Sequence, residues 1–404
     1  MTSASAATLA LPRVLFLTNG APHSAGAGAI VLQRLFSDYP PDRLLVVTNR
    51  LPPDGAGRLP CRYERLALAV DRFNRTRFWL WRPALRALGA SRLPAIRRVD
   101  ACLDGFRPQI VATLMQDSWY YDLAARYARR GGLPLVLFVH DLPDGFEPVA
   151  PWLKAAQQRR DAAVYRQAVH RFCISVPMRD HFRGQFDTDG EVLLPPRSDT
   201  PVVQTPDHCR RLKIPGRLTL GYAGGLHYGY GEQLLRMLPA LHATGIRLEL
   251  FGPTPAGAVA VLRESTDVFH FNGYISPPEE AWRRILEKCD AVLQPYLDPP
   301  GEHARQYRTH FPSKLGDALS LGLPLLITGP ADASGVTWCR RHSDCALHAA
   351  GPAPESLVAA LLRLRDEPAL RIELARRAQT VAVEFSAPVL RARLHESLTA
   401  IATP

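Results

Sequence analysis

Along the first half of the chain, short runs of leucine, valine and isoleucine alternate with stretches whose apolar residues recur at helical spacing. The runs at 14–18, 44–48, 110–114, 134–139, 172–175 and 192–194 predict strands buried on both faces, the signature of a parallel sheet. Helical stretches at 29–36, 121–130 and 152–170 fall between them. A polar, proline-containing passage at 195–216 breaks the rhythm. The alternation then restarts, with strands expected at 218–223, 247–251, 268–271, 291–294 and 324–328 and closing helices from 354 to about 400.

Strands alternating with helices of this length imply βαβ units and open, doubly wound sheets. The expected fold is therefore α/β, with two Rossmann-like doubly wound domains facing a cleft. The N-terminal domain is placed at 1–200, a linker at 201–216 and the C-terminal domain at 217–404. Sheets of this kind bind ligands outside the carboxyl ends of their strands, so the loops that follow strands are where chemistry is sought.

Composition narrows the class. With 404 residues, 47% hydrophobic and 22% charged, the chain can bury two ordinary cores, which excludes wholesale disorder. The N-terminus has no basic leader, and the longest apolar runs are too short to span a bilayer. Seven dispersed cysteines without a CxxC pair or zinc-like spacing read as reduced thiols, so a cytoplasmic location is expected.

The net charge of +11 is uneven: residues 1–196 hold 26 basic against 17 acidic side chains, and 51–100 alone hold 11 against 4. Such a patch attracts polyanions. Its densest part, 71–98, joins eight arginines from Arg72 to Arg98 with Phe73, Phe78, Trp79 and Trp81. That mixture suits insertion into an anionic membrane face, and equally a solvated helix whose aromatics pack on the N-terminal domain. No nucleic-acid module accompanies it, so nucleic acid is not an expected partner.

Five loops after strands could carry chemistry. The first, NGAPHSAGAG at 19–28, offers glycines for close backbone approach, among them Gly26 and Gly28. Its spacing is not GxGxxG, so a tightly held dinucleotide is not indicated. His140-Asp141 ends the run VLFVHD, a functional address in such a sheet, although a capping Asp beside a satisfied His reads the same. YAGGLHYGYGE at 222–232, with Gly225 and His227, could cradle a phosphate through its amides or simply supply turn angles. Gly273-Tyr274-Ile275 precedes a helix opened by Ser276. In RQYRTHFPSKLGDALSLGLPLLITGP (305–330), a helix starting near Pro312-Ser313 puts Lys314 in its first turn, where N–H groups and the dipole favour an anion. Lys314 is one of only four lysines, and Asp317 lies three residues on, so a surface ion pair is the plainer reading of spacing alone.

FPSKLGDALSLGLPLLITGP resembles the donor-site motif of GT-B glycosyltransferases, particularly family four. YAGGLHYGYGEQLL, FNGYISPPEEAWRRILEKCDAVLQPY and the opening RVLFLTNGAPHSAGAGAIVLQRL are similar to other parts of that family, in the same order. The resemblance implies a sugar transferred, with retention, from a nucleoside diphosphate to a lipid-linked or saccharide acceptor hydroxyl, with no metal or other cofactor. It implies that Lys314 and Ser313 meet the donor diphosphate and that Asp317 holds the ribose. Tyr274 and Ile275 would line the base pocket, Gly26 and Gly28 would lie by the diphosphate and acceptor, and His140 would face the transferred sugar. It also implies work in cell-envelope or exopolysaccharide assembly, on the inner face of the cytoplasmic membrane.

The chain departs from the family's pattern in three places. The first of the family's two glutamates falls on Thr309, with Glu302 the nearest acidic substitute. The Arg and Lys of the second-domain turn fall on Gly225 and Tyr230, leaving Arg305, Arg308 or His227 to supply the charge. Asp187-Thr188-Asp189 has the DxD form of metal-binding transferases of another fold and is read as a surface loop. Two rival readings stand beside transfer: an epimerase of the same fold, needing paired carboxylates such as Glu302 and Asp141, and a catalytically degenerate scaffold.

Overall fold

The computed structural model describes residues 10–24, 26–68, 92–143, 151–200, 204, 206–227, 229–253, 267–299, 303–351 and 354–403. The chain divides into two compact units, Met1–Leu194 with Pro388–Pro404, and Pro195–Ala387.

Unit 1 is a seven-stranded parallel sheet. Its strands are β1 (Val14–Thr18), β2 (Leu44–Thr48), β3 (Arg62–Arg65), β4 (Ile110–Leu114), β5 (Leu135–Val139), β6 (His170–Cys173) and β7 (Glu191–Val192), ordered β3-β2-β1-β4-β5-β6-β7. Every residue of β1, β2, β4 and β5 is buried, which is why these strands read as unbroken apolar runs. The crossovers include α1 (Ala27–Leu35), α2 (Arg92–Leu103), α3 (Ser118–Gly131), α4 (Pro151–Gln167) and α5 (Val176–Phe186). Asp117 caps α3 by accepting from Trp119 N at 2.9 Å, and Gly132, left-handed at φ 62°, ends it.

Unit 2 repeats the plan. After α6 (Pro206–Arg211), β8 (Thr219–Ala223), β9 (Arg247–Phe251), β10 (Phe269–Phe271), β11 (Ala291–Pro295), β12 (Leu325–Gly329) and β13 (Ala346–Ala350) form a parallel sheet ordered β10-β9-β8-β11-β12-β13. Helices α7 (Tyr230–Thr244), α8 (Pro278–Lys288), α9 (His303–Thr309), α10 (Leu315–Ser320), α11 (Ser334–Arg341), α12 (Pro354–Asp366) and α13 (Pro368–Val381) belong to this unit. In both sheets the strand order reverses once, between β1 and β4 and between β8 and β11, and a crevice at that point is the usual ligand address.

Two features differ from the expected layout. The described part of the presumed linker is packed on unit 2, where Arg211 donates to Glu287 O at 2.6 Å and Gly216 N to Arg365 O at 3.0 Å. The last helix, α14 (Ala387–Ala402), returns to unit 1, where Arg391 pairs with Asp38 at 2.9 Å and Arg393 with Glu191 at 2.7 Å. Its Leu390, Leu394 and Leu398 are buried, a stripe at helical spacing that fastens the chain's end to the first unit.

Candidate active site

In unit 2, the carboxyl ends of β8, β9 and β10 each lead into a glycine, and backbone bonds lace the three together. Gly224 N donates to Phe251 O at 2.8 Å, and Gly252 N donates to Gly273 O at 2.9 Å. A Cβ on Gly252 would stand 2.1 Å from Gly224 O, so no other residue fits this approach. Gly224 has φ 153°, and a Cβ there would lie 2.6 Å from Lys314 Nζ.

Lys314 reaches into this corner. Its Nζ donates to Ala223 O at 2.6 Å and sits 4.1 Å from the Tyr222 ring centroid and 5.9 Å from that of Tyr230. Burial pushes its ammonium down to about 7. Contrary to the sequence reading, Lys314 is the residue before the six-residue α10 and not part of its first turn. Ser313 lies in the preceding turn.

Asp317 is buried in the first turn of α10, and its Oδ1 accepts from Ser198 N at 2.7 Å. Ser198 Oγ in turn donates to Glu279 at 2.6 Å. Asp317 and Lys314 therefore serve different neighbours, and the expected surface ion pair is not how Lys314 is held. Thr309, at the place of the missing glutamate, is buried and returns its hydroxyl to Arg305 O at 3.0 Å.

The other expected donor residues are scattered in exposure. Gly225 O accepts from Tyr222 Oη at 3.0 Å, and His227 and Tyr274 are exposed while Ile275 is half-buried. Arg305 is exposed, and Arg308 pairs with Asp332 at 2.9 Å, so neither is drawn toward Lys314 by a described contact. Glu302 lies outside the described residues, as do 71–91 of the basic segment. What remains of that segment opens α2, with Arg97 and Arg98 exposed.

Sequence reasoning missed Tyr222, Tyr230, Tyr296 and His310 around the same corner. Tyr296 is fully buried at the end of β11 and accepts from Gly335 N at 2.9 Å. His310, 5.6 Å from the Tyr296 ring, is pushed down to about 4 by burial and, less, by the charge of Lys314. The usable signal was Gly329 and Gly335, where a Cβ would collide with Tyr296.

In unit 1, Gly26 is the extended N-cap of α1, and Gly28 lies exposed in its first turn with nothing within 4 Å of a Cβ. The loop before them is held by Ser24, whose N and Oγ both bond Ala56 O at 2.9 and 2.8 Å. His140 is buried just beyond β5, and burial pushes it down to about 4, so its imidazole is neutral at physiological pH. Asp141 beside it is half-buried. Asp187 ends α5 in a left-handed turn, and no cluster of three or more metal-ligating side chains occurs among the described residues.

Residues 42–197 match the family described as a glycosyl transferase 4-like domain. No curated protein matches the chain in sequence. Among solved structures, the chain is similar to Anabaena HepE in complex with UDP and glucose, at 16% identity and TM-score 0.68, over 96% of this chain and 99% of that one. It is similar to sucrose-phosphate synthase from Thermosynechococcus elongatus, at 15% identity and TM-score 0.65, over 96% and 98%. WaaG, a glycosyltransferase involved in lipopolysaccharide biosynthesis, aligns at 16% identity and TM-score 0.62, over 96% and 99%. Residues 42–197 are therefore similar to a glycosyl transferase 4-like domain, and the chain has the GT-B fold of these structures.

Proposed function

We propose that this protein transfers a sugar from a nucleoside diphosphate to an acceptor hydroxyl. Lys314 carries the reading. A cation held by one carbonyl and a tyrosine face at the end of β8, beside the point where strand order reverses, is poised for an anion. With its ammonium pushed down to about 7, it recovers full charge when a diphosphate enters.

Glycosyl transfer leaves negative charge on the departing diphosphate, and a preorganised cation lowers that barrier without reorganisation. Lys314 takes this role, with Ser313 and the glycine turn at Gly224–Gly225 providing close approach. Tyr274 and Ile275 meet the base, and Asp317 orients the nucleotide's ribose from its anchored position. His140, uncharged, meets the sugar by hydrogen bonding and not as a cation. With no protein nucleophile assigned, displacement on the same face assisted by the leaving phosphate gives retention, and no metal is required.

HepE was solved with UDP and glucose, which supports a nucleotide-sugar donor and favours uridine among bases. WaaG's part in lipopolysaccharide biosynthesis supports a cell-envelope glycan or glycolipid as product and a lipid-linked or saccharide acceptor. No helix among the described residues is long and apolar enough to cross a membrane. We place the enzyme in the cytoplasm, with the basic 72–98 segment meeting the anionic inner membrane face.

The test is release of nucleoside diphosphate from UDP-, GDP- and ADP-sugars by wild type and Lys314→Ala. Release from one donor, cut at least 100-fold in the variant as for a lost charge stabiliser, supports the reading. Interconversion of the sugar without release indicates an epimerase instead. A folded wild type that neither turns over nor binds any nucleotide is a scaffold.

A further inference from the structure

Three adjacent strand ends in unit 1 hold polar atoms that their own fold leaves unused. Asn19 follows β1, Trp119 opens α3 just after β4, and His140 follows β5, and these strands are neighbours in the order β1-β4-β5. Trp119 is 8% exposed and His140 7%. Among the described residues, Trp119 Nε1, Asn19 Oδ1 and His140 Nδ1 have no hydrogen-bond partner.

Asp117 accounts for the arrangement. Its Oδ1 accepts from Trp119 N at 2.9 Å and its Oδ2 from Asn19 Nδ2 at 3.4 Å, a bond that spans the β1/β4 switch point. A carboxylate only accepts, so the amide nitrogen of Asn19 must face it, leaving the carbonyl oxygen as the unused end. The neighbouring tyrosines show what a purely structural residue does here. Tyr120 Oη donates to Leu66 O at 2.8 Å and Tyr121 Oη to Asp161 at 2.6 Å, whereas the indole beside them donates to nothing described. Native folds satisfy buried polar atoms almost without exception, and three unpartnered ones at a ligand address point to a ligand.

We infer that Asn19 and Trp119 are specificity residues for a neutral saccharide, with the indole N–H donating to a sugar hydroxyl oxygen and the Asn19 carbonyl accepting from a sugar hydroxyl. A neutral donor, a neutral acceptor and an uncharged imidazole match hydroxyls and not a phosphate, which would demand cations. The assignment rests on the glycosyl-transfer reading and names the chemistry recognised at its unit 1 face.

The protein labelled with 15N-tryptophan tests it, the Trp119 indole signal being the one that Trp119→Phe removes. D-glucose, D-galactose, D-mannose and N-acetylglucosamine are titrated, then UDP-glucose, with glycerol phosphate and octanol as controls. A free saccharide that shifts this signal marks an acceptor sugar, and a shift only with UDP-glucose marks the donor's sugar. Asn19→Ala should weaken the effective saccharide about tenfold, the net worth of a hydrogen bond. A Trp119 signal moved by none of the sugars, or moved equally by octanol or glycerol phosphate, overturns the inference. UDP binding, followed in the same samples, reports the unit 2 reading separately, so failure of one is distinguishable from failure of the other.

Discussion

At the residue scale the site shows function set against stability. Lys314 is desolvated, with a folded value of about 7 below the ordinary 10.5. Between those values the unfolded chain binds more protons, so this residue's cost is greatest below pH 7 and fades as pH rises toward 10.5. Lys314→Met is therefore expected to melt higher than wild type at pH 6, with the gap narrowing by pH 10, a trend differential scanning calorimetry can read. Gly28 makes a complementary case. A Cβ there meets open space, and alanine in a helix is worth about 0.5–1 kcal/mol over glycine, so Gly28→Ala should stabilise slightly. If a ligand approaches this backbone, the same variant loses transfer activity, and unchanged turnover would remove Gly28 from the site. Lys314 stood out as a rare lysine in an arginine-rich chain, but its role came from the resemblance of its segment to a family motif and not from spacing. Tyr222 and Tyr230 did not stand out, since an aromatic in a glycine-rich turn has no spacing that announces what it covers.

Elements were legible in proportion to their burial. Val14–Thr18, Leu44–Thr48, Ile110–Leu114 and Arg247–Phe251 lie where the apolar runs put them. The strands Arg62–Arg65 and Ala346–Ala350 were missed because they are sheet edges, half solvated, with sequences RYER and ALHAA that carry no apolar run. The glycine corner is the element on which the site depends. Gly252→Ala would press a methyl into the Gly224 backbone, which cannot yield as a flexible side chain does. We expect a loss on the order of 3 kcal/mol, read by urea denaturation, together with weakened nucleotide binding. Wild-type stability in this variant would mean that β8 and β9 do not approach so closely.

At the scale of the molecule, the two-sheet plan followed from the alternation of runs, but the path of the last helix did not. Pattern reading assigns a segment to its sequence neighbours, whereas α14 is held by Asp38 and Glu191, far away in the chain. Ending the chain at residue 386 would bare the unit 1 face that Leu390, Leu394 and Leu398 cover. Three buried leucines are worth about 1.5–3 kcal/mol each, enough to unfold an ordinary domain. The truncated protein should therefore lose the unit 1 melting transition or aggregate, and a normal melt would show that the helix is dispensable.

The central claim is that unit 2 holds a nucleoside diphosphate against Lys314. The most direct measurement is calorimetric titration with UDP, GDP and ADP at pH 8, in two buffers of different ionisation enthalpy. Binding that restores the ammonium must take up close to one proton, and affinity must fall as pH rises above 7, with both effects abolished in Lys314→Met. Saturable binding of one nucleotide with that proton uptake is the predicted result. Binding without proton uptake, or binding that Lys314→Met leaves intact, would contradict it.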